Sequence, residues 1–175
     1  ERVMVTHPFL AGIAPEHLAH LVGCAKNVRY RVGEYLMREG EHEEWLYLVR
    51  QGSVSIEQPR PGGEAVVLET VGAGDVVGVS CMTARPAHLD CRARETVLAF
   101  ALDNRCLRAK MRDDPAFGFA LTARLLERTY ERLSHAARLR AGPLRRRAPR
   151  RRGVREELLP RRLERAIGVV YRPET

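Results

Sequence analysis

Near the start of the chain, apolar residues recur every three or four positions, which is the period of a helix. The pattern predicts a helix from Pro15 to about Cys24, with proline in the first turn, where no backbone N–H is needed. From Lys26 onward the period changes to two, which is typical of a half-buried strand. The alternating apolar residues of this first strand are Val28, Tyr30 and Val32.

Seven further short apolar runs follow, with glycine-rich turns between them. These predicted strands cover residues 35–38, 45–49, 53–56, 64–69, 76–78, 91–94 and 96–102. Between residues 79 and 90 the pattern is irregular, and Pro86 lies inside that segment. About eight short strands separated by regular turns predict a mainly β fold, a sandwich or barrel, with helices on its flanks.

Two helices are predicted to close this fold. Asp103 is placed to cap a short helix over 104–111, and Asp114 with Pro115 marks the start of a long helix that ends at about Arg140. The long helix has a heptad-like apolar stripe that begins at Phe119. We expect the N-terminal half of this stripe to pack on the barrel and the rest to form a homodimer seam. The residues of the predicted seam are Leu126, Tyr130, Leu133 and Ala137.

The net charge of +8 is unevenly distributed along the 175 residues. The last 38 residues hold 13 arginines and four glutamates, a net charge of +9, whereas the first 137 are almost neutral at −1. The densest run comprises Arg145, Arg146, Arg147, Arg150, Arg151 and Arg152. Because such a run repels itself and buries nothing, we expect residues 141–175 to be a disordered tail, with a short amphipathic helix at 161–170.

Three interpretations of this tail stay open. It could contact phosphates as a sequence-blind nucleic-acid-binding arm, whose affinity would fall steeply with salt. It could equally be a solvated tail without a specific role, or a C-terminus under no selection. The excess of arginine over lysine, 28 to 2, is typical of GC-rich codon usage and fits the third interpretation.

The cysteines and histidines lack the spacing of a structural metal site, and no nucleophile or phosphate-loop motif is present. We therefore predict a protein that is not an enzyme and has no catalytic or metal-binding residues. The four cysteines are expected to be reduced thiols in a cytoplasmic protein. No apolar stretch approaches the length of a membrane span.

Four glycine-containing segments carry a resemblance to a known family. They read Val32-Gly33-Glu34-Tyr35-Leu36, Glu39-Gly40, Tyr47-Leu48-Val49-Arg50-Gln51-Gly52-Ser53-Val54 and Gly72-Ala73-Gly74-Asp75-Val76-Val77-Gly78. Together with the order of elements, they resemble the cyclic nucleotide-binding domain of catabolite-activator-type (Crp/Fnr-like) regulators. The resemblance covers roughly residues 7–140. It implies an eight-stranded β-roll between a short N-terminal helix and the long C-terminal helix.

In that family, a short helix between two strands forms a cassette that binds the cyclic phosphate through backbone N–H groups and one arginine. A glutamate beside the first cassette glycine binds the ribose, and the long helix covers the base. Here Val79 stands at the glutamate position, and Ala87 or His88 stands at the arginine position. The resemblance implies a degenerate ligand site made of Gly78, Val79, Ser80, Cys81, Met82, Arg85, Ala87, His88, Arg92 and Thr129.

These departures limit the expected function. Because the cassette lacks both the glutamate and the arginine of the family pattern, it is expected to bind cyclic AMP or cyclic GMP weakly. One alternative is that the cassette binds another small, less polar ligand. The other is that the cavity is filled by side chains and the domain is purely structural. Because no helix-turn-helix unit is recognisable after Arg140, we expect a lone regulatory sensor domain that acts through a partner protein, or a truncated transcription regulator. A redox role for Cys81 and Cys91 is a further, weaker hypothesis.

Overall fold

The computed structural model describes residues 4, 6–83 and 85–141 of the chain. Two 3-10 helices lie at Pro8–Leu10 and Val79–Met82. The α-helices are α1 (Pro15–Val22), α2 (Asn104–Asp113) and α3 (Pro115–Ala141). The strands are β1 (Ala25–Tyr30), β2 (Tyr35–Met37), β3 (Trp45–Gln51), β4 (Val54–Gln58), β5 (Val66–Val71), β6 (Val76–Val77), β7 (Asp90–Ala93) and β8 (Val97–Asp103).

The eight strands form two four-stranded antiparallel sheets, in the orders β1-β8-β3-β6 and β2-β7-β4-β5. The two sheets face each other and form a roll. The helices precede and follow the strands along the chain, apart from the short 3-10 helix at Val79–Met82. The prediction of a mainly β roll with a short N-terminal and a long C-terminal helix is therefore confirmed.

The sheet that contains β3 and β8 is buried on both faces, which explains the continuous apolar runs in those strands. Alternate residues face different cores. Leu46, Leu48 and Leu102 pack against the helices, where Phe117 and Leu121 are fully buried. The residues between these point the other way and fill the roll interior. Side chains of the second sheet, β2-β7-β4-β5, share this interior. This second core includes Tyr47, Val49, Val54, Val71, Val77, Ala87, Cys91, Val97 and Ala99.

The predicted helix starts are confirmed by their caps. The carboxylate of Asp103 accepts a hydrogen bond from the backbone N–H of Cys106 at 2.7 Å. Asp114 likewise accepts from the N–H of Phe117 at 3.0 Å, and Pro115 is the first residue of α3. Each side chain satisfies a helix N–H that would otherwise have no partner.

The expectation that the stripe beginning at Phe119 packs on the barrel is wrong. Phe119 is 78% exposed, because the residues of α3 that reach the core are Phe117, Leu121 and Leu125, spaced four apart. Three of the four predicted seam residues, Leu126, Tyr130 and Leu133, are large apolar side chains that are about two-thirds exposed, and Ala137 is also exposed. The packing stripe and the heptad-like stripe thus lie on different faces of the same helix.

The expectation of four reduced thiols is also wrong, because Cys24 and Cys106 form a disulfide. Their separation of 82 residues hides their proximity in the sequence. The pairing of β1 with β8 places Ala25 opposite Leu102, and the N–H of Asp103 donates to the carbonyl oxygen of Cys24 at 2.9 Å. The bond therefore ties the chain after α1 to the first turn of α2.

Two predictions concern residues beyond this fold. The arginines of the tail and the helix predicted at 161–170 lie outside the described residues, so both stay predictions. Within the part of the chain that the structure describes, no helix has the length and apolarity needed to cross a membrane.

Candidate functional site

The cassette starts at Gly78, between β6 and the second 3-10 helix. Gly78 has φ +83°, in the left-handed region, and a Cβ built on it would lie 2.5 Å from the carbonyl oxygen of Trp45. Only glycine fits such a position without strain. The turn that opens the cassette is thus retained although the following residue, Val79, carries no charge.

The four residues after Gly78 turn toward different sides of the cassette. Cys81 is buried in the core under the helices, and Val79 and Met82 pack partly against the same core. The hydroxyl of Ser80 donates instead to Sδ of Met37 at 3.3 Å, on the side of the roll interior. The cassette therefore contributes a valine and two sulfur-containing side chains to the core under the helices, and none of the three carries a charge.

Burial distinguishes the two candidates for the missing arginine position. Ala87 is 2% exposed and faces the roll interior, whereas His88 is exposed to solvent. Arg85 is exposed as well. Of these three predicted site residues, only Ala87 faces the roll interior, and it offers a methyl group.

Arg92 lies on β7 between two residues, Cys91 and Ala93, that face the roll interior. Its side chain therefore lies on the opposite, outer face. There its Nε donates to the carbonyl oxygen of Gly33 at 3.1 Å, and its guanidinium lies 5.4 Å from the ring centre of Tyr35. The structure does not bring Arg92 together with the cassette.

Cys81 and Cys91 are free thiols in two different cores. Burial raises the pKa of each thiol to about 12, and the nearby Glu43 adds to the shift in both. A thiol with such a pKa stays protonated at neutral pH and is a poor nucleophile. This environment argues against the hypothesis of a redox role for these two residues.

Four predicted residues line one groove between the cassette and the last two helices. This groove has a volume of about 550 Å³ and includes Val79, Met82, Leu126 and Thr129. Thr129 is engaged within its own helix, where its hydroxyl donates to the carbonyl oxygen of Leu125 at 2.7 Å. The groove is mainly apolar and has two arginines of α2, Arg108 and Arg112, at its border.

Sequence reasoning missed a stripe of arginines that holds α3 to the rest of the fold. This arginine stripe consists of Arg124, Arg128 and Arg132, which are spaced four apart and so share one helix face. Arg124 donates to the carbonyl oxygen of Phe9 at 3.1 Å. The regular spacing of the stripe was a signal in the sequence, but its partners outside α3 are more than 50 residues away.

The other two arginines of the stripe contact the strand that leads into the cassette. Nε of Arg128 donates to a carboxylate oxygen of Asp75 at 2.7 Å. Arg132 donates to the carbonyl oxygen of Val76, and its Nε lies 3.5 Å from Glu69 on β5. Since Asp75 and Val76 stand directly before Val77 and Gly78, the cassette and α3 share one short segment of chain.

Comparison with known proteins agrees with this geometry. The family described as "Cyclic nucleotide-binding domain" matches residues 27–114, which is half of the chain and includes all eight strands apart from the first two residues of β1. This chain belongs to the cyclic nucleotide-binding domain family. It is a regulatory family rather than a catalytic one, and the recognition made from the glycine turns is confirmed.

Three relatives show where the similarity lies. A cGMP-dependent protein kinase of Caenorhabditis elegans, egl-4, is 31% identical over 70 residues, which are 40% of this chain and 8% of the kinase. The catabolite activator protein of Thermus thermophilus has a TM-score of 0.61 at 25% identity, over 76% of this chain and 63% of that one. The regulatory subunit of a cAMP-independent protein kinase A from Trypanosoma brucei has a TM-score of 0.62 at 24% identity, over 74% and 45%.

The chain thus corresponds to a small part of the kinase and to less than half of the trypanosome subunit. The similarity establishes a domain of this family and its relation to regulatory proteins.

Proposed function

We propose that this chain is a regulatory sensor module that binds cyclic AMP and cyclic GMP weakly and acts by positioning α3. The observation that carries the proposal is the pair of contacts from Arg128 and Arg132 to Asp75 and Val76. These contacts join the C-terminal helix to the residues that lead into the cassette. A ligand or partner that moves the cassette would therefore change the position of α3.

Weak binding of cyclic nucleotides follows from the chemistry of the cassette. A cyclic phosphate carries one negative charge, and its favourable partners would be charged hydrogen-bond donors. Val79 and Ala87 provide none, and the acidic Glu43 lies close enough to raise the pKa of Cys81. The relative described as cAMP-independent supports the idea that a regulatory protein can use this fold without cyclic AMP. We propose a less polar ligand or a protein partner in its place.

The contact between α3 and the cassette can be tested with Asp75→Asn, which removes the charge that faces Arg128 and Arg132. This variant loses charge-assisted hydrogen bonds between side chains that are mostly buried. We therefore expect amide hydrogen exchange in α3, near residues 126–134, to become about tenfold faster. Exchange measured by mass spectrometry reports this rate segment by segment.

Glu131→Gln is the matched control, because it removes an exposed partner of the same Arg128 without touching the strand. Exposed pairs of this spacing contribute little, so its exchange in α3 is expected to change by about twofold or less. Equal exchange rates in the two variants would contradict the proposed link between cassette and helix.

We also propose that two copies pair through the seam of Leu126, Tyr130, Leu133 and Ala137. Large apolar side chains on one face of a helix are a typical dimer surface when they are exposed in the single chain. Sedimentation analysis is expected to give twice the mass of 19.8 kDa. Tyr130→Glu should then yield the monomer, whereas His135→Glu, at an exposed position on the other side of α3, should leave the dimer intact. A monomeric wild-type chain would refute the seam.

The cellular location stays a prediction. A cytoplasmic regulator is the expectation from the sequence, but the disulfide between Cys24 and Cys106 would be unusual in a reducing compartment. The arginine-rich tail remains a separate candidate for binding nucleic acid, on the basis of the net charge of +9 of the last 38 residues.

A further inference from the structure

Three side chains able to ligate a metal converge where α1 meets the joint between α2 and α3. His17 and His20 are three residues apart on α1 and so lie on one face of that helix. Asp114 is the residue between α2 and α3. One donor atom of each residue lies within 4.8 Å of the other two.

The distances from the carboxylate to the two histidine nitrogens fit a shared ion. Nδ1 of His17 lies 3.0 Å from Oδ2 of Asp114, and Nε2 of His20 lies 3.2 Å from the same oxygen. Bonds of about 2.0–2.1 Å from zinc to nitrogen and oxygen, at tetrahedral angles, separate two ligand atoms by about 3.3 Å. The three side chains therefore stand close to their places around a tetrahedral ion.

Hydrogen bonding explains only part of this arrangement. Oδ1 of Asp114 accepts from the N–H of Phe117, which fixes the carboxylate and turns Oδ2 toward the histidines. His20 forms a hydrogen bond with that oxygen. Nδ1 of His17 is buried and has no well-aligned hydrogen-bond partner, although it points at the same carboxylate. An unsatisfied buried nitrogen aimed at a carboxylate is expected of a ligand whose partner is a cation.

The surroundings of the cluster suit an ion with one open position. The ring of the fully buried Phe117 lies 6.0 Å from the His17 ring and 5.2 Å from the His20 ring, and forms an apolar floor. The three ligating side chains keep between 17% and 31% of their surface exposed, which leaves a path from solvent. A water molecule would complete the coordination from that side.

We propose that His17, His20 and Asp114 bind a divalent transition-metal ion, Zn²⁺ by preference. Two imidazole nitrogens and one carboxylate oxygen form a donor set that suits Zn²⁺, whereas Ca²⁺ and Mg²⁺ prefer shells of oxygen ligands. The bound ion would tie α1 to the joint between α2 and α3. The site is independent of the cassette and of the sensor function proposed above.

Zinc titration of the untagged full chain tests the proposal. Calorimetry is expected to show one Zn²⁺ per chain, and Co²⁺ as a probe should give the visible absorption of tetrahedral coordination. His17→Ala and His20→Ala should each lower the affinity for Zn²⁺ by about 100-fold or more, since even outer-shell changes cost 10- to 100-fold. Asp114→Asn removes the ligand charge but keeps a residue that caps helices equally well.

His42→Ala and His135→Ala are the controls, because both histidines are exposed and neither belongs to the cluster. These variants should bind Zn²⁺ as the wild type does. Zinc binding that survives in His17→Ala and His20→Ala variants with native circular dichroism would overturn the proposal, as would the absence of Co²⁺ absorption in the wild type. Equal losses in the control variants would also overturn it, because they would place the ion elsewhere.

Discussion

The variant Ala87→Arg is expected to bind cyclic AMP about tenfold more tightly than the wild-type chain. Ala87 stands at one of the two positions that the resemblance gives for the phosphate-binding arginine, and it faces the roll interior with 2% of its surface exposed. A hydrogen bond to a charged group contributes about 1.5–3 kcal/mol net, and about 1.4 kcal/mol corresponds to a tenfold change in affinity. Titration calorimetry measures the difference directly.

Ala87→Met is the matched control, because it introduces a long side chain without charge. Circular dichroism and thermal unfolding first establish that both variants are folded, since Ala87 sits in a filled core. The arginine variant should gain affinity and the methionine variant should not. A folded charged variant without any gain, or an equal gain in the control, would show that the lost charges do not explain the weak binding.

Removing the disulfide with Cys24→Ala and Cys106→Ala is expected to lower the free energy of unfolding by about 3–4 kcal/mol. The bond closes a loop of 82 residues, which includes all of the roll, and restricts the unfolded chain accordingly. It also fastens the end of α1 to α2, so the N-terminal segment should loosen first. Urea unfolding of both proteins gives the difference in free energy.

Reducing agent provides the control for this prediction. The wild-type chain in dithiothreitol should unfold at nearly the same urea concentration as the double variant, whereas the variant should be indifferent to the reagent. Cys81 and Cys91 are free thiols in both proteins and cancel in the comparison. Identical unfolding of the oxidised wild type and the variant would contradict a stabilising role for the bond.

Local signals in the sequence were sufficient for the fold. Glycine turns such as the one at Gly78 require a left-handed backbone, and their order along the chain marks the roll. The continuous apolar run of β8 follows from a sheet buried on both faces. The caps Asp103 and Asp114 placed the last two helices to within a residue or two of their observed ends.

Contacts between distant parts of the chain could not be predicted in the same way. Asp114 meets His20 across 94 positions, and Cys24 meets Cys106 across 82. Neither pair has a local spacing that marks it, because the pairing of β1 with β8 and the joint between α2 and α3 bring them together. A histidine pair three residues apart was visible, but its third ligand was not.

The candidate site was predictable in position and only partly in detail. The family pattern located the cassette at Gly78 and left the arginine position open between Ala87 and His88. Which of two neighbouring residues faces inward depends on the local path of an irregular segment, and the structure turns Ala87 inward. The long helix was misread for a similar reason, since two apolar stripes compete on it and Phe117, rather than Phe119, faces the core.

Titration of the wild-type chain with cyclic AMP and cyclic GMP tests the central claim most directly. The claim is that this chain retains the family cassette but lacks the charges that bind a cyclic phosphate. Calorimetry is predicted to show dissociation constants weaker than about 100 µM for both nucleotides. Saturable binding of either nucleotide, one per chain, with a dissociation constant below that value would contradict the claim.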